Sequence, residues 1–194
     1  MRRRGLTLIE MIMTMAIVGM VVALISFPLS EVIRASDQIH VQADLLAEGR
    51  MGLGRMARDI GWLRDGVGSV IAATGRRFEF ISQLGNDMAT LEQVYFEYQP
   101  GQNRVVRSCY VSPSTVTRVA SPLMENVQDF SFRYYDLQGQ EIPLTPTNRV
   151  RLQTSPILET NIWRIEMQVT LASGGQTVSL QTSVYPRNLL REKK

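Results

Sequence analysis

The sequence predicts an α+β chain: one long amino-terminal helix, membrane-spanning in its first half and amphipathic in its second, packed on a mainly antiparallel β-sheet head. Three observations predict it. Residues 6–29 are apolar apart from Glu10, residues 30–65 place apolar side chains at helical spacing, and beyond Gly66 the hydrophobic period falls from 3.6 to 2. The 194 residues suit one span and one head domain of about 130 residues, large enough to bury its own core. The expected divisions are a basic stretch over 1–5, the spanning helix over 6–29, the amphipathic helix over 30–65 and the β-rich head over 66–194.

The span comes first. At roughly 1.5 Å per residue, residues 6–29 reach across a hydrocarbon core of about 30 Å. A secretory signal peptide has an apolar part of only about 7 to 15 residues and ends at small residues, which this run does not. Arg2, Arg3 and Arg4 precede the span and no basic residue interrupts it, so the amino terminus stays on the cytoplasmic side and the rest of the chain crosses. Pro28 lacks a backbone donor and is expected to kink or locally open the helix.

Glu10 is out of keeping with that solvent. A carboxylate at the centre of a span costs about 2.5 to 3.5 kcal/mol, less near a helix end, and such residues usually serve a function through a partner. The bland alternative is an interfacial glutamate with its head in water. No basic residue lies between Glu10 and Arg34 in the sequence, which leaves a chain terminus, a lipid headgroup or another protein as the counter-charge.

After the span, Val32, Ile39, Leu46, Leu53 and Ile60 recur every seven residues, with Ala35, Ala43, Met56, Ala57 and Leu63 beside them. That spacing describes one apolar stripe on a helix reaching about Leu63. Arg34, Asp37, Gln38, Asp44, Glu48, Arg55, Arg58 and Asp59 fall on the opposite face. Joined to the span, the helix would extend about 85 Å if straight. Gly49, Gly52 and Gly54 each cost it about 1 kcal/mol relative to Ala; a closely approaching sheet or partner is one explanation, and a tolerated irregularity is the other.

The head reads as strands. Phe78 and Phe80, then Val94, Phe96 and Tyr98, alternate with more polar positions; Gln99-Pro100-Gly101-Gln102 suits a type II turn into a returning strand from Arg104 to Val111. Val127 to Tyr135 sets Phe130, Phe132 and Tyr134 on one side. Trp163, Ile165, Met167, Val169 and Leu171 alternate without fault, and after Ser173-Gly174-Gly175-Gln176 the pattern resumes through Val178, Leu180, Thr182 and Val184, a hairpin with one buried face. Leu137 to Asn161, with three prolines, is a long loop or edge excursion, and Arg191 to Lys194 a solvated tail.

Gly5-Leu6-Thr7-Leu8-Ile9-Glu10 behind a short basic leader resembles the prepilin signal of type IV pilins and of type II secretion pseudopilins. The resemblance implies cleavage after Gly5 by a membrane aspartic peptidase, N-methylation of the new first residue Leu6, and pairing of Glu10 with the amine of a neighbouring subunit during assembly. Leu6 departs mildly from the family's commonest residue, Phe. Asn126 to Asp136 and the last hairpin through Leu189 are similar to minor pilins and pseudopilins of the W and J types. That implies a subunit present in few copies, at a filament tip or at its initiation, with prepilin peptidase and other pilins or pseudopilins as partners. The bacterial inner membrane, with the head in the periplasm, is the implied location. A secretion pseudopilus and a surface pilus share the leader, so both stay open.

Composition fits this. Loss of Arg2, Arg3 and Arg4 with the leader brings 21 basic residues level with the 18 acidic ones, which removes the diffuse positive field a nucleic-acid partner would use. The single cysteine, Cys109, forms no intrachain disulfide. Nor does the sequence hold the parts of a familiar active site: the one histidine, His40, lacks neighbours for a metal cluster or a triad, and no phosphate-cradling, dinucleotide or calcium-loop pattern occurs. No catalytic residue, metal or cofactor is expected, and the chain is not expected to be an enzyme. A second class of function, a filament-displayed adhesin or DNA-uptake module using 137–161, and a third, an unrelated membrane-anchored enzyme, are the alternatives.

Overall fold

Helix α1 spans Leu8–Gly61 and is followed by eight strands: β1 (Val70–Ala73), β2 (Arg77–Ser82), β3 (Glu92–Gln99), β4 (Arg104–Val111), β5 (Thr117–Met124), β6 (Val127–Tyr135), β7 (Arg164–Ser173) and β8 (Gln176–Val184). The computed structural model describes residues 8–63, 70–82, 92–111, 117–143 and 162–186. It divides into two units, Met1–Val41 and Gln42–Lys194.

In the first unit, residues 8–40 of α1 are exposed along their whole length. The helix continues through Pro28 without the opening expected there. Its hydroxyls are turned inward on the helix itself: Thr14 Oγ1 donates to the carbonyl of Glu10 at 2.8 Å, Ser26 Oγ to that of Val22 at 2.7 Å and Ser30 Oγ to that of Phe27 at 2.8 Å. Such bonds let a polar side chain sit in an apolar solvent.

The second unit is an α+β layer. β1 to β5 form an antiparallel meander in chain order, and β6 to β8 a second antiparallel sheet in chain order. Bonds from Val127 N–H to Asn103 C=O and from Phe132 N–H to Gly75 C=O, each 2.8 Å, tie the sheets together. Phe78 lies 5.9 Å from Phe132 and 5.8 Å from Tyr134 between ring centroids. The alternation read from sequence is the one observed: Phe78, Phe80, Val94, Phe96, Phe130, Phe132, Tyr134, Ile165, Met167, Val169 and Leu171 are all buried.

Within the second unit the helix packs on this layer through the lower part of the sevenfold stripe, Leu53, Met56, Ile60 and, just past its end, Leu63, together with Leu45 and two glycines. Leu45, Gly49, Gly52, Leu53, Met56, Asp59 and Ile60 are buried, whereas Val32 and Ile39 are 64% and 65% exposed. Glycine sets the closest approach. A Cβ on Gly49 would run into the Leu171 and Leu180 methyls, and one on Gly52 into the Met124 thioether, while one on Gly54 would meet nothing within 4 Å. The close approach of a sheet therefore accounts for Gly49 and Gly52 but not for Gly54.

Two further readings change. Asp59, assigned to the polar face, is buried, and Arg107 Nε donates to its Oδ2 at 2.7 Å. At Gln99 to Gln102 the chain makes a short 3₁₀ turn, Pro100–Gln102, whose left-handed residue is Asn103 at φ 48°. Gly101 therefore does not fill the role a type II turn would give it, because the asparagine takes the αL position.

Two strands had no counterpart in the sequence reading, β1 and β5. β5 contains Pro122, which argues against a central strand but is admissible at an edge, where β5 lies.

Candidate functional site

The residues that point to function sit at the start of α1. Gly5 and Leu6 lie outside the described residues. Glu10 falls in the first turn of the helix, where the positive end of the helix dipole favours a carboxylate by about 0.3 to 1 kcal/mol. The sequence therefore puts the carboxylate one turn inside the helix and a few residues from the Leu6 amine that cleavage would create.

Behind Glu10 the surface is hydrocarbon. Leu8, Ile12, Met15, Val22, Leu24, Ile25 and Phe27 are between 57% and 78% exposed, and the helix is long and apolar enough to cross a membrane. Exposing so many large apolar side chains in water would be costly at about 25 cal/mol per Å². The segment thus requires lipid or other apolar helices around it. At Gly19 a Cβ would meet nothing within 4 Å; with Ala23 it forms the small-xxx-small pair that permits another helix to come close.

The head supplies no comparable chemistry among the described residues. His40 is exposed on α1. Cys109 is buried in β4, its Sγ 3.0 Å from Glu92 Oε2. On the outer face of the first sheet, Arg77 stacks 4.5 Å above Tyr95 and pairs with Glu79 at 2.7 Å and Glu97 at 3.4 Å. Burial draws the Arg77 guanidinium down, and the hydrogen bond and charge of Glu79, with help from Glu97, overcome this and raise it above its ordinary value. Gln93 donates to the second oxygen of Glu79. This is a satisfied cross-strand network, which holds strands in register. No group of three or more His, Cys, Asp or Glu side chains among the described residues is placed to hold a metal ion.

Within the long connection from Leu137 to Asn161, residues 144–161 lie outside the described residues. The part before them is ordered by its own backbone: Asp136 Oδ1 accepts from the N–H groups of Gln138 and Gln140, and Ile142 N–H donates to Tyr134 C=O at 2.8 Å.

Comparison with known proteins bears on the amino terminus. A family model described as the prokaryotic N-terminal methylation motif matches residues 1–26. Comparison with curated proteins finds no match. Among solved structures the chain is similar to a type IV-like pilin from Thermus thermophilus, at a TM-score of 0.48 and 13% identity, over 77% of this chain and 97% of that one.

Proposed function

We propose that this chain, which carries the prepilin-type amino terminus of the type IV pilin and pseudopilin family, is a minor pilin or pseudopilin that is cut after Gly5 and built into a filament through α1. The observation that carries this reading is the methylation motif over residues 1–26, joined to a helix whose apolar surface is exposed. Prepilin peptidase removes the leader and methylates Leu6. The span then anchors the chain in the inner membrane, with the head outside the cytoplasm.

Assembly moves α1 from lipid to a bundle of like helices. Apolar contact is roughly exchanged for apolar contact, so the step needs a specific attraction to give it direction. Glu10 supplies it by accepting the methylated amine of a neighbouring subunit. A charge pair in a low-dielectric core forms only with good geometry, which also sets the axial register between subunits. The softer similarity of Asn126 to Asp136 and of the last hairpin to W- and J-type subunits supports a place at the tip or in initiation.

Mass spectrometry of the mature protein tests the reading. An N-methylated Leu6 as first residue is expected in cells with an active prepilin peptidase, and an intact Met1 terminus there would overturn it. The adhesin or DNA-uptake alternative predicts that deleting part of 137–161 abolishes binding while filaments persist.

A further inference from the structure

The two sheets have four edges, and three are blunted. β1 has only four residues and an irregular register against β2. β5 contains Pro122 and pairs with β4 through two irregularities. β6 is engaged along its outer side, donating from Val127 and Phe132 to Asn103 and Gly75 and accepting from Ile142.

β8 differs. It runs nine residues, Gln176–Val184, in unbroken register with β7 and contains no charged residue and no proline. The Gly174-Gly175 turn, with φ of 57° and 78°, closes Ser173 on Gln176 as a hydrogen-bonded pair. Even-numbered residues of β8 then bond to β7, and Thr177, Ser179, Gln181 and Ser183 turn their N–H and C=O groups outward. The bond from Ala172 N–H to Asn126 C=O, 2.9 Å, agrees: Ala172, opposite Thr177, points its amide away from β8. All four outward residues are exposed, and among the described residues none of their backbone groups bonds to another element.

A long, regular, uncharged edge is the kind that proteins ordinarily protect against. We propose that β8 is a docking edge for an extended strand of a different polypeptide in the same assembly, which adds to the second sheet as a fourth strand. Only a β-strand complements the alternating donor and acceptor row. The absence of charge selects an uncharged segment. Leu180, Thr182 and Val184 are half-buried, so the incoming strand completes their cover with apolar side chains at alternate positions.

A second copy of this chain does not suit the edge. Antiparallel pairing of two β8 strands sets a twofold axis perpendicular to the sheet, which reverses every direction lying along it. α1 lies against this face at Gly49, beside Leu171 and Leu180. The two helices would run oppositely, whereas chains anchored by their amino termini in one membrane leave it in the same direction. This last step rests on the membrane anchoring proposed above; the row of outward backbone groups does not.

Photo-crosslinking of the full-length chain in its native membranes tests the proposal, with p-benzoylphenylalanine in place of Gln181. The expected adduct joins Gln181 to an uncharged extended stretch of one other membrane-anchored polypeptide. With the crosslinker at Ser183, Ser179→Pro is expected to lower that adduct about tenfold, because it removes an outward N–H and sets a ring against the incoming strand. Ser179→Pro breaks no backbone bond of the β7–β8 ladder and loses only the exposed side-chain contact of Ser179 Oγ with Thr170 Oγ1 at 3.1 Å, so its thermal transition should fall only slightly below wild type. Should it fail to fold, Gln181→Lys serves the same purpose with the same crosslinker. An adduct to a second copy, an adduct within the chain to residues 144–161 or 187–194, no adduct, or one indifferent to both substitutions overturns the proposal. Leader removal, read by mass on the same membranes, reports separately on the processing of the chain.

Discussion

Arg107 of β4 donates from Nε to Asp59 Oδ2 of α1 at 2.7 Å, with only 16% and 7% of the two side chains exposed. The pair joins the last turn of the helix to the first sheet at a point where water has been removed. Taking away one partner leaves a buried charge uncompensated, at a cost of about 3 to 5 kcal/mol. Asp59→Ala and Arg107→Ala should each lower the thermal transition of the detergent-solubilised chain strongly. Asp59→Leu with Arg107→Leu should recover most of the loss. Equal stability of single and double variants would show that the pair is not what joins helix and sheet there.

The glycines of α1 separate into two kinds, and alanine tells them apart. In Gly52→Ala a gain of about 1 kcal/mol in helix propensity meets an overpacking cost of about 1 to 3 kcal/mol, because Met124 is itself buried and close. Net destabilisation is expected. Gly54→Ala has open space around it and should stabilise the isolated chain by roughly 0.5 to 1 kcal/mol. Denaturant unfolding of the two variants side by side measures the difference in sign.

Alkaline pH should unfold the head through Tyr134. Burial holds its phenol well above the ordinary value of 10, and its Oη donates to Thr74 C=O at 3.0 Å. Since the folded state keeps the proton more tightly, this contribution is complete below about pH 10 and falls as pH rises beyond it. Tyr134→Phe should flatten the alkaline limb of a stability–pH curve. At neutral pH it should cost about 0.5 to 1.5 kcal/mol for the lost hydrogen bond. Tyrosinate absorbance followed through the transition checks whether ionisation and unfolding coincide.

For assembly, Glu10→Leu should insert into the membrane at least as well as wild type, because it removes a charge from the span, yet enter filaments poorly. Gly5→Ala should retain the leader and block assembly altogether. Normal incorporation of Glu10→Leu, measured by the fraction recovered with sheared or pelleted filaments, would remove the proposed role of that carboxylate.

Much of this molecule was legible because its signals are periodic. Trp163 to Leu171 and Val178 to Val184 alternate without fault and meet across a Gly-Gly turn whose left-handed backbone favours glycine, so strands and turn followed. The apolar run behind Glu10 was legible from length alone. Asp59 was not: a carboxylate on a helix reads as solvated, and only the fold brings Arg107 beneath it, from a position 48 residues away. β5 was hidden by Pro122, since a proline signals the end of a strand until one knows that the strand lies at an edge. Along α1 the sevenfold repeat found Leu53 and Ile60 on the packed face, but not Gly49 and Gly52, where the sheet comes closest, because a glycine adds nothing to a hydrophobic count. The candidate site was legible as a motif, while the outward row of β8 depends on hairpin phase and on what the other edges do.

Tyr135 and Arg164 are direct neighbours across β6 and β7, with the Arg164 guanidinium 4.1 Å above the Tyr135 ring. The connection that leaves one strand therefore returns to the other at a single anchored point. Lengthening a connection whose ends are already pinned adds only about 0.6 kcal/mol for each doubling. Evolution can thus enlarge or exchange this stretch almost independently of the sheet whose strands it joins, and an experimenter can do the same, placing an epitope or a fluorescent domain between residues 144 and 161 to mark where the protein resides in a working machine.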